Sequence, residues 1–446
     1  MATIADSVEE YSEIDHRGQL TRAVIASAIG TTIEWYDFFL YGTVTGLVFA
    51  KLYFPSTDET VSNINNYAGY FLGFASRPVG AAIFGHFGDR IGRKSMLITT
   101  LLMMGIATFL VALVPTYAQI GIWAPLSLIV LRLIQGIGVG GEWGGSVLLA
   151  MEWAQTSKHR GFIASWPQFG VPAGLLLANL AVVIVSNSMT SEAFLAWGWR
   201  IPFLISAVLV FIGLWIRTGI LESPTFRKLV AENRIEKAPL LEVIRLQPWQ
   251  IIQSAFVRMA EQAPFYIFTT FVFTYAVGAL KFERNLVLEA VLTAAAISIC
   301  IVPLFGYVSD RIGRKTMYMI GATAVTFYGF FYFYMLDMKS PTYMFIAVML
   351  SIVPHGMMYG PQAALIAELF TGRLRYTGAS LGYQLASVIA GGPAPLIALW
   401  LYTSYGSQIG GYGIAGFIAF CGVVSLIATS FVKDYTGQDI NLEYDD

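Results

Sequence analysis

Residues 85–94 read GHFGDRIGRK and residues 306–315 read GYVSDRIGRK. One basic decapeptide therefore occurs twice, and Asp89 and Asp310 stand about half a chain length apart. Each copy is a short polar turn between two long apolar stretches. Two equivalent turns in equivalent surroundings imply an internally duplicated chain, folded as two like halves around a shared centre.

Hydrophobic residues make up 56% of the chain and charged residues 12%, where soluble domains carry about a quarter charged residues. Lipid rather than water must solvate most of the outer surface. Backbone amides cannot stay unpaired in hydrocarbon, so the spans are helices or a closed barrel. The apolar runs reach about 20 residues or more, the length of a bilayer-crossing helix. The short-period alternation of barrel strands is absent. The expected fold class is an all-α polytopic membrane protein. Cys300 and Cys421 lie apart in apolar stretches without a CxxC or histidine partner, so both read as small core residues. Residues 1–21 are polar, with Glu9, Glu10, Glu13, Asp15 and Arg17, which is not the layout of a cleaved leader. The net charge of −1 carries no information about partners, and no nucleic-acid partner is expected.

Apolar runs and turn signals divide the chain into twelve spans, near 22–49, 66–88, 95–114, 123–152, 161–187, 200–217, 250–279, 286–309, 316–336, 342–371, 376–402 and 410–432. Most of the 27 basic residues then fall on one side of the membrane. Lys51, Lys281, Arg284 and Lys339 fall on the other, while Arg77, Arg132, Arg200 and Arg258 lie within spans or at their ends. The positive-inside rule puts both termini in the cytoplasm. The expected domains are an N-terminal six-helix bundle (1–217), a cytoplasmic linker (218–249) and a C-terminal six-helix bundle (250–446). The linker carries many charges and Pro224, Pro239 and Pro248. It reads as a solvated connector containing a short amphipathic helix, with a regulatory docking surface as the alternative.

The halves match weakly beyond the cassettes. Glu152 ends span four and Glu368 ends span ten, each followed by a basic turn (Lys158 to Arg160; Arg373 to Arg375). Gln168 and Gln384 then fall at like places in spans five and eleven. The cassettes resemble the loop between spans two and three of the major facilitator superfamily and its counterpart after span eight. EWYDFFLYG (34–42), RPVGAAIFGHFGDRIGRK (77–94), LIQGIGVGGEWGG (133–145), WGWRIPF (197–203) and LESPTF (221–226) together resemble the metabolite:proton symporter family. That family carries shikimate, 2-oxoglutarate, citrate and betaines. RMAE (258–261), His355 and YQLASVIAGG (383–392) are most similar to its shikimate and organic-acid carriers. About fifteen polar residues follow Phe431, without the long coiled-coil tail of osmosensing betaine carriers.

Ionisable residues inside spans mark function, because each costs at least ~2.5–3.5 kcal/mol at mid-bilayer. Glu34 and Asp37 share one helical face of span one, and Tyr41 continues it. Arg77 is in span two; Arg132 and Glu142 are in span four. A proton-coupled carrier needs a buried carboxylate and a cation able to replace the proton as counter-charge. Asp37 or Glu34 opposite Arg77 or Arg132 fits that need, and a permanent ion pair that only fixes packing is the alternative. The resemblance puts Asp37 first, since it and Arg77 belong to the family's signature strings. Glu142 lies among glycines that permit close helix approach, so it reads equally as a coupling acid and as a structural hydrogen-bonding group. Arg258 and Glu261 form an i,i+3 pair in span seven. Arg258 suits bidentate capture of a substrate carboxylate, unless Glu261 simply neutralises it. His355 lies in span ten; histidine as a residue type can donate or accept a proton near neutrality, and here it offers a ligand or a satisfied core group. Gln168 and Gln384 offer amides to hydroxyls, and Trp35, Trp166 and Tyr383 offer ring walls, though most aromatics serve core or interface.

Asp89 can pair with Arg93 and Asp310 with Arg314, or each can accept hydrogen bonds at a helix N-terminus. The resemblance implies that these loops, including Arg90 and Arg311, latch the halves on the cytoplasmic side when the carrier opens outward. Holding the loops in the cytoplasm is the plainer role. No phosphate-binding loop, metal-spaced cluster or nucleophile elbow is present, so neither an enzyme nor a cofactor or metal is expected. The expected activity is proton-coupled import of a small organic anion by alternating access. The expected setting is a monomer in the lipid bilayer of the bacterial inner membrane. The rivals are a drug or metabolite:proton antiporter and a non-transporting membrane receptor or sensor.

Overall fold

A computed structural model describes residues 13–54, 69, 71–154 and 157–438. Among these, every regular element is a helix. Nine helices among the described residues have the length and apolar character to cross a bilayer. They are spans three to six (Arg93–Leu113, Trp123–Trp153, Arg160–Asn187, Arg200–Thr218) and spans eight to twelve (Arg284–Ile312, Arg314–Asp337, Pro341–Ala367, Arg375–Gly406, Gly410–Ser430). The other three predicted spans differ for identifiable reasons. Span one, Glu13–Val44, carries Glu34 and Asp37 along its length. Span two ends in the helix Arg77–Ile91, and most of the segment before position 71 lies outside the described residues. Span seven, expected as one helix, breaks at Arg258 into Pro248–Val257 and Met259–Tyr266. Pro264 then removes a backbone N–H, and wide π turns follow at Ile267–Phe271 and Phe273–Ala279.

The cassette turns repeat in backbone as well as sequence. Gly92 and Gly313 have φ values of 116° and 97°, a region that a side chain disfavours. Each ends one span and begins the next within a single residue. Both turns are capped by an acid from after the sixth span of their half. Glu222 accepts from the backbone N–H groups of Arg93 (3.1 Å) and Lys94 (3.2 Å). Asp434 accepts from that of Lys315 (3.3 Å), and Thr436 Oγ1 from that of Arg314 (3.1 Å). Burial pushes the Glu222 carboxyl above the usual glutamate range, against the pull of its backbone donors and Arg93.

Spans two and four meet through glycine. A methyl group at Gly80 would strike the Ile137 carbonyl, and one at Gly140 the Arg77 carbonyl. Lipid gives helices no hydrophobic reason to associate, so such close approach carries the packing. Between the halves, span five lies on spans eight and ten, and span eleven lies on spans two and four. These contacts exchange when the halves are exchanged, as duplication requires. The linker holds two short helices, Pro224–Ala231 and Pro239–Leu246, where one was expected. The second packs on spans two and eleven. Cys421 is buried as expected, but Cys300 lies on an exposed face of span eight.

Candidate functional site

Arg284 begins the helix that ends beside Asp310, so the two mark opposite ends of the bundle. At the Arg284 end a cleft of about 700 Å³ opens between spans one and five and spans seven and eight. Leu175 and Thr269 form its floor and also line a narrow apolar neck with Pro172, Phe268 and Val291. Phe265 and His355 are shared between that neck and a small chamber further in. The chamber is lined by Trp35, Arg77 and Val171 of the N-half. The C-half contributes Arg258, Glu261, Gln262, Phe265, Tyr266, His355, Tyr359 and Tyr383. A wide cleft of about 700 Å³ and two small cavities of about 30 and 10 Å³ thus line up, through shared lining residues, between one end of the bundle and buried charge at its centre.

The C-half wall of the chamber is a saturated network. Arg258 donates from Nε to Gln362 (3.2 Å), from Nη2 to Glu261 (3.1 Å) and from Nη1 to the Tyr383 carbonyl, and stacks on the Tyr383 ring. Glu261 Oε2 also accepts from Gln362 Nε2 (3.1 Å), while Oε1 lies 3.5 Å from His355 Nε2. The N-half wall is different. Arg77 rests on the faces of Phe74 (4.2 Å), Phe38 (4.4 Å) and Trp35 (5.1 Å). Its Nε and Nη2 are buried with no hydrogen-bond partner among the described residues. Both oxygens of buried Glu34 are equally without one.

Asp37 sits behind this wall. Its carboxylate accepts from Ser206 Oγ (2.5 Å) and Thr108 Oγ1 (2.9 Å), with no salt bridge among the described residues. Gln135 donates to Thr108 (2.8 Å) and accepts from Arg132 (3.4 Å), so Arg132 reaches Asp37 through two relays rather than directly. Arg132 lies over Phe38 and Tyr41. Glu142 is held by Thr100 (2.9 Å), Ser146 (2.8 Å) and Arg217. Arg217, at the end of span six, is buried against Glu142. That ion pair supplies every oxygen of Glu142 with donors and favours the structural alternative for it.

At the cassette end the bundle is shut. Asp89 accepts from Thr377 N (2.9 Å), Thr377 Oγ1 (2.8 Å) and Tyr376 N (3.4 Å), and lies 3.3 Å from Arg93. Asp310 accepts from Gly161 N (2.7 Å) and Phe162 N (2.8 Å) and pairs with Arg314 (3.1 Å). Each acid thereby caps the first turn of a helix in the opposite half, where backbone donors have no partner within their own helix. Arg160 and Glu368 add a cross-half pair at 2.8 Å, and Glu368 also takes Arg314 at 2.5 Å. Above this latch, Trp143 stacks on Tyr383 at 3.6 Å.

Several residues expected at the chamber lie elsewhere. Gln168 accepts from Trp143 Nε1 (2.7 Å) and donates to the Tyr359 carbonyl (3.4 Å). Gln384 donates to the Val139 carbonyl (3.4 Å) and accepts from Ser387. Both amides tie one half to the other instead of facing the chamber. Trp166 packs on Phe162 and Phe169, because its position on span five faces away from the chamber. Tyr41 and Arg132 are buried behind Phe38, outside the lining. Arg90 and Arg311 are exposed and, among the described residues, reach His86 and Tyr307 of their own helices and no group of the other half. Sequence reasoning missed Gln362, Gln262, Thr108, Ser206 and Trp143, uncharged residues that only the fold brings to these charges. Of the residues proposed at first, Arg77, Arg258, Glu261, His355 and Tyr383 do share the chamber.

The family model described as Major Facilitator Superfamily matches residues 27–395. The chain is 39% identical to the inner membrane metabolite transport protein YhjE of Escherichia coli (strain K12), over 98% of this chain and 99% of that protein. It is 38% identical to the shikimate transporter of the same strain, over 93% and 94%. The fold is similar to that of the proton:xylose symporter XylE bound to 6-bromo-6-deoxy-D-glucose, with TM-score 0.78 and 16% identity over 96% of this chain and 98% of that one. Two duplicated six-helix halves, a central charged chamber and a family match across most of the sequence lead to one conclusion: the chain belongs to the Major Facilitator Superfamily, whose members are membrane transporters and not enzymes.

Proposed function

We propose that this chain is a proton-coupled importer of a small organic anion. It works as a single chain in the bacterial inner membrane, both termini in the cytoplasm, with rigid bundles near 1–217 and 250–446. The observation that carries the reading is the pair of unengaged Arg77 N–H groups in a chamber shared with Arg258, Glu261 and His355. Buried charged donors left unpaired are costly, and a carboxylate relieves that cost with short charge-assisted bonds. Trp35, Phe265, Tyr359 and Tyr383 give the chamber flat ring walls; at about 10 Å³ it is closed around its charges in this state, so these rings must part to admit a ring acid. The relatives' names, a metabolite carrier and a shikimate carrier, support this class.

Asp37 is the coupling acid in this reading. A hydroxyl donates to a carboxylate and accepts from a carboxylic acid equally well. Ser206 and Thr108 therefore serve both protonation states of Asp37 without moving another charge. Opening at one end while the cassette latches hold the other is the outward-facing half of an alternating cycle. The test is uptake into proteoliposomes under an imposed inward proton gradient, with shikimate, 2-oxoglutarate, citrate, an aromatic acid and betaine. Accumulation of an acid that an uncoupler abolishes is the expected result. Accumulation of none of them, with expulsion of cationic drugs instead, would turn the reading to an exporter.

A further inference from the structure

We propose that His355 is a second proton-binding group, one that sets the charge of the C-half wall so that an anion and a proton enter the chamber together. This rests on the anion-import reading above but does not follow from it, since Asp37 alone suffices for coupling there. The imidazole lines both the neck and the chamber, at their junction. It is held flat between Phe265 (4.8 Å, 27°) and Tyr359 (5.0 Å, 29°), with Nε2 3.5 Å from Glu261 Oε1. The ring is therefore fixed in place, partly reachable from the cleft, and aimed at one carboxylate oxygen that Arg258 does not use.

The charges around it are few. Among the described residues, span seven presents Arg258, Glu261 and Tyr266, its own helix Tyr359, span eleven Tyr383, and span two Arg77 across the chamber. Spans five and eight present only Val171, Pro172, Leu175, Val291, Ala294, Ala295 and Ser298, none of which titrates. With His355 neutral, Arg258 and Glu261 cancel, and the C-half wall offers an anion no net attraction. A proton taken from water in the cleft onto Nε2 makes a second cation for Glu261 and leaves the wall with one positive charge. That excess lies at the chamber's entrance and is neutralised by one substrate carboxylate. By linkage, whatever favours the proton favours the anion to the same degree. Release of the anion at the other side then frees the proton to water there, so no charge is stranded.

The experiment measures KM for counterflow exchange of the acid that wild-type protein accumulates in the panel above, at pH ~6 and pH ~8, the range in which histidine exchanges protons. Counterflow needs no net proton movement, so it isolates binding from coupling at Asp37. The inference expects wild-type KM to rise by roughly tenfold from the lower to the higher pH. It expects His355→Gln, neutral throughout, to give nearly equal KM values at the two pH values, whatever their absolute level. Glu261→Gln provides an independent arm: it gives the wall its positive charge without a proton, so KM at pH ~8 falls below the wild-type value. A His355→Gln protein that retains the wild-type slope overturns the inference and leaves anion import intact. So does a Glu261→Gln protein with weakened binding and an unchanged slope. Failure of the wild-type protein to exchange any acid overturns the anion reading itself.

Discussion

The two halves descend from one repeat, yet they hold their buried acids in opposite ways. In the C-half, Glu261 is pinned by Arg258 and Gln362, with His355 beside it. In the N-half, Asp37 is held by two hydroxyls and is kept from Arg132 by Gln135 and Thr108. A pinned acid fixes geometry, because removing its cation strands a charge in low dielectric. An acid in a hydroxyl shell can change its charge while its neighbours stay put. Duplication thus supplied two copies of a frame, and the halves hold their buried acids differently within it.

The contrast breaks most visibly on stability. Arg217→Met strands Glu142, a pinned acid, and is expected to cost about 3–5 kcal/mol, read as a lowered unfolding midpoint in detergent. Asp37→Asn is expected to leave that midpoint nearly unchanged; equal losses for both variants would erase the distinction. Next in size is Arg77→Gln, which removes the unengaged guanidinium from the N-half wall. Charge-assisted hydrogen bonds of about 2 kcal/mol make this a roughly thirtyfold rise in KM for the transported acid, with turnover less affected. Lysine at the same position is expected to rescue it poorly, since an ammonium lacks the planar fit to Trp35, Phe38 and Phe74.

The latches sharpen the comparison in turn. Asp89→Asn and Asp310→Asn each weaken charge-assisted caps across the halves, so the fold should persist while turnover slows by roughly tenfold. Stopped-flow or counterflow rates measure this, and near-normal turnover in both variants would sink the latch. The smallest effect is expected for Arg90→Ala and Arg311→Ala, whose side chains reach groups of their own helices. Uptake should change by less than about twofold, as for most exposed charges.

Much of this frame was legible in the chain. The repeated Asp-Arg-Ile-Gly-Arg-Lys turn announced duplication, since Gly92 and Gly313 need a backbone that only glycine takes readily and the acids need helix ends to cap. Arg258 and Glu261 were legible because one helical turn brings them together whatever the tertiary fold. Gln168 and Gln384 show the limit of that reasoning. Their positions correspond between the halves, and so do their environments, but helical spacing does not say whether an amide faces a chamber or a neighbouring backbone. Arg217 shows a second limit. It stands at the end of span six, and only the packing of spans four and six brings it to Glu142. The uncharged partners, Gln362, Thr108 and Ser206, carry no sequence signal, because hydroxyls and amides are common in helices for ordinary reasons.

The account stands on a proton moving with the anion through Asp37. The direct measurement records proton and acid fluxes together in proteoliposomes, with the acid added outside and no gradient imposed. Wild-type protein is expected to alkalinise the exterior as acid enters, while Asp37→Asn carries acid at a comparable rate with fewer protons per acid. Acid entry in the wild type without proton movement, or an Asp37→Asn protein that carries protons in the wild-type ratio, would contradict it.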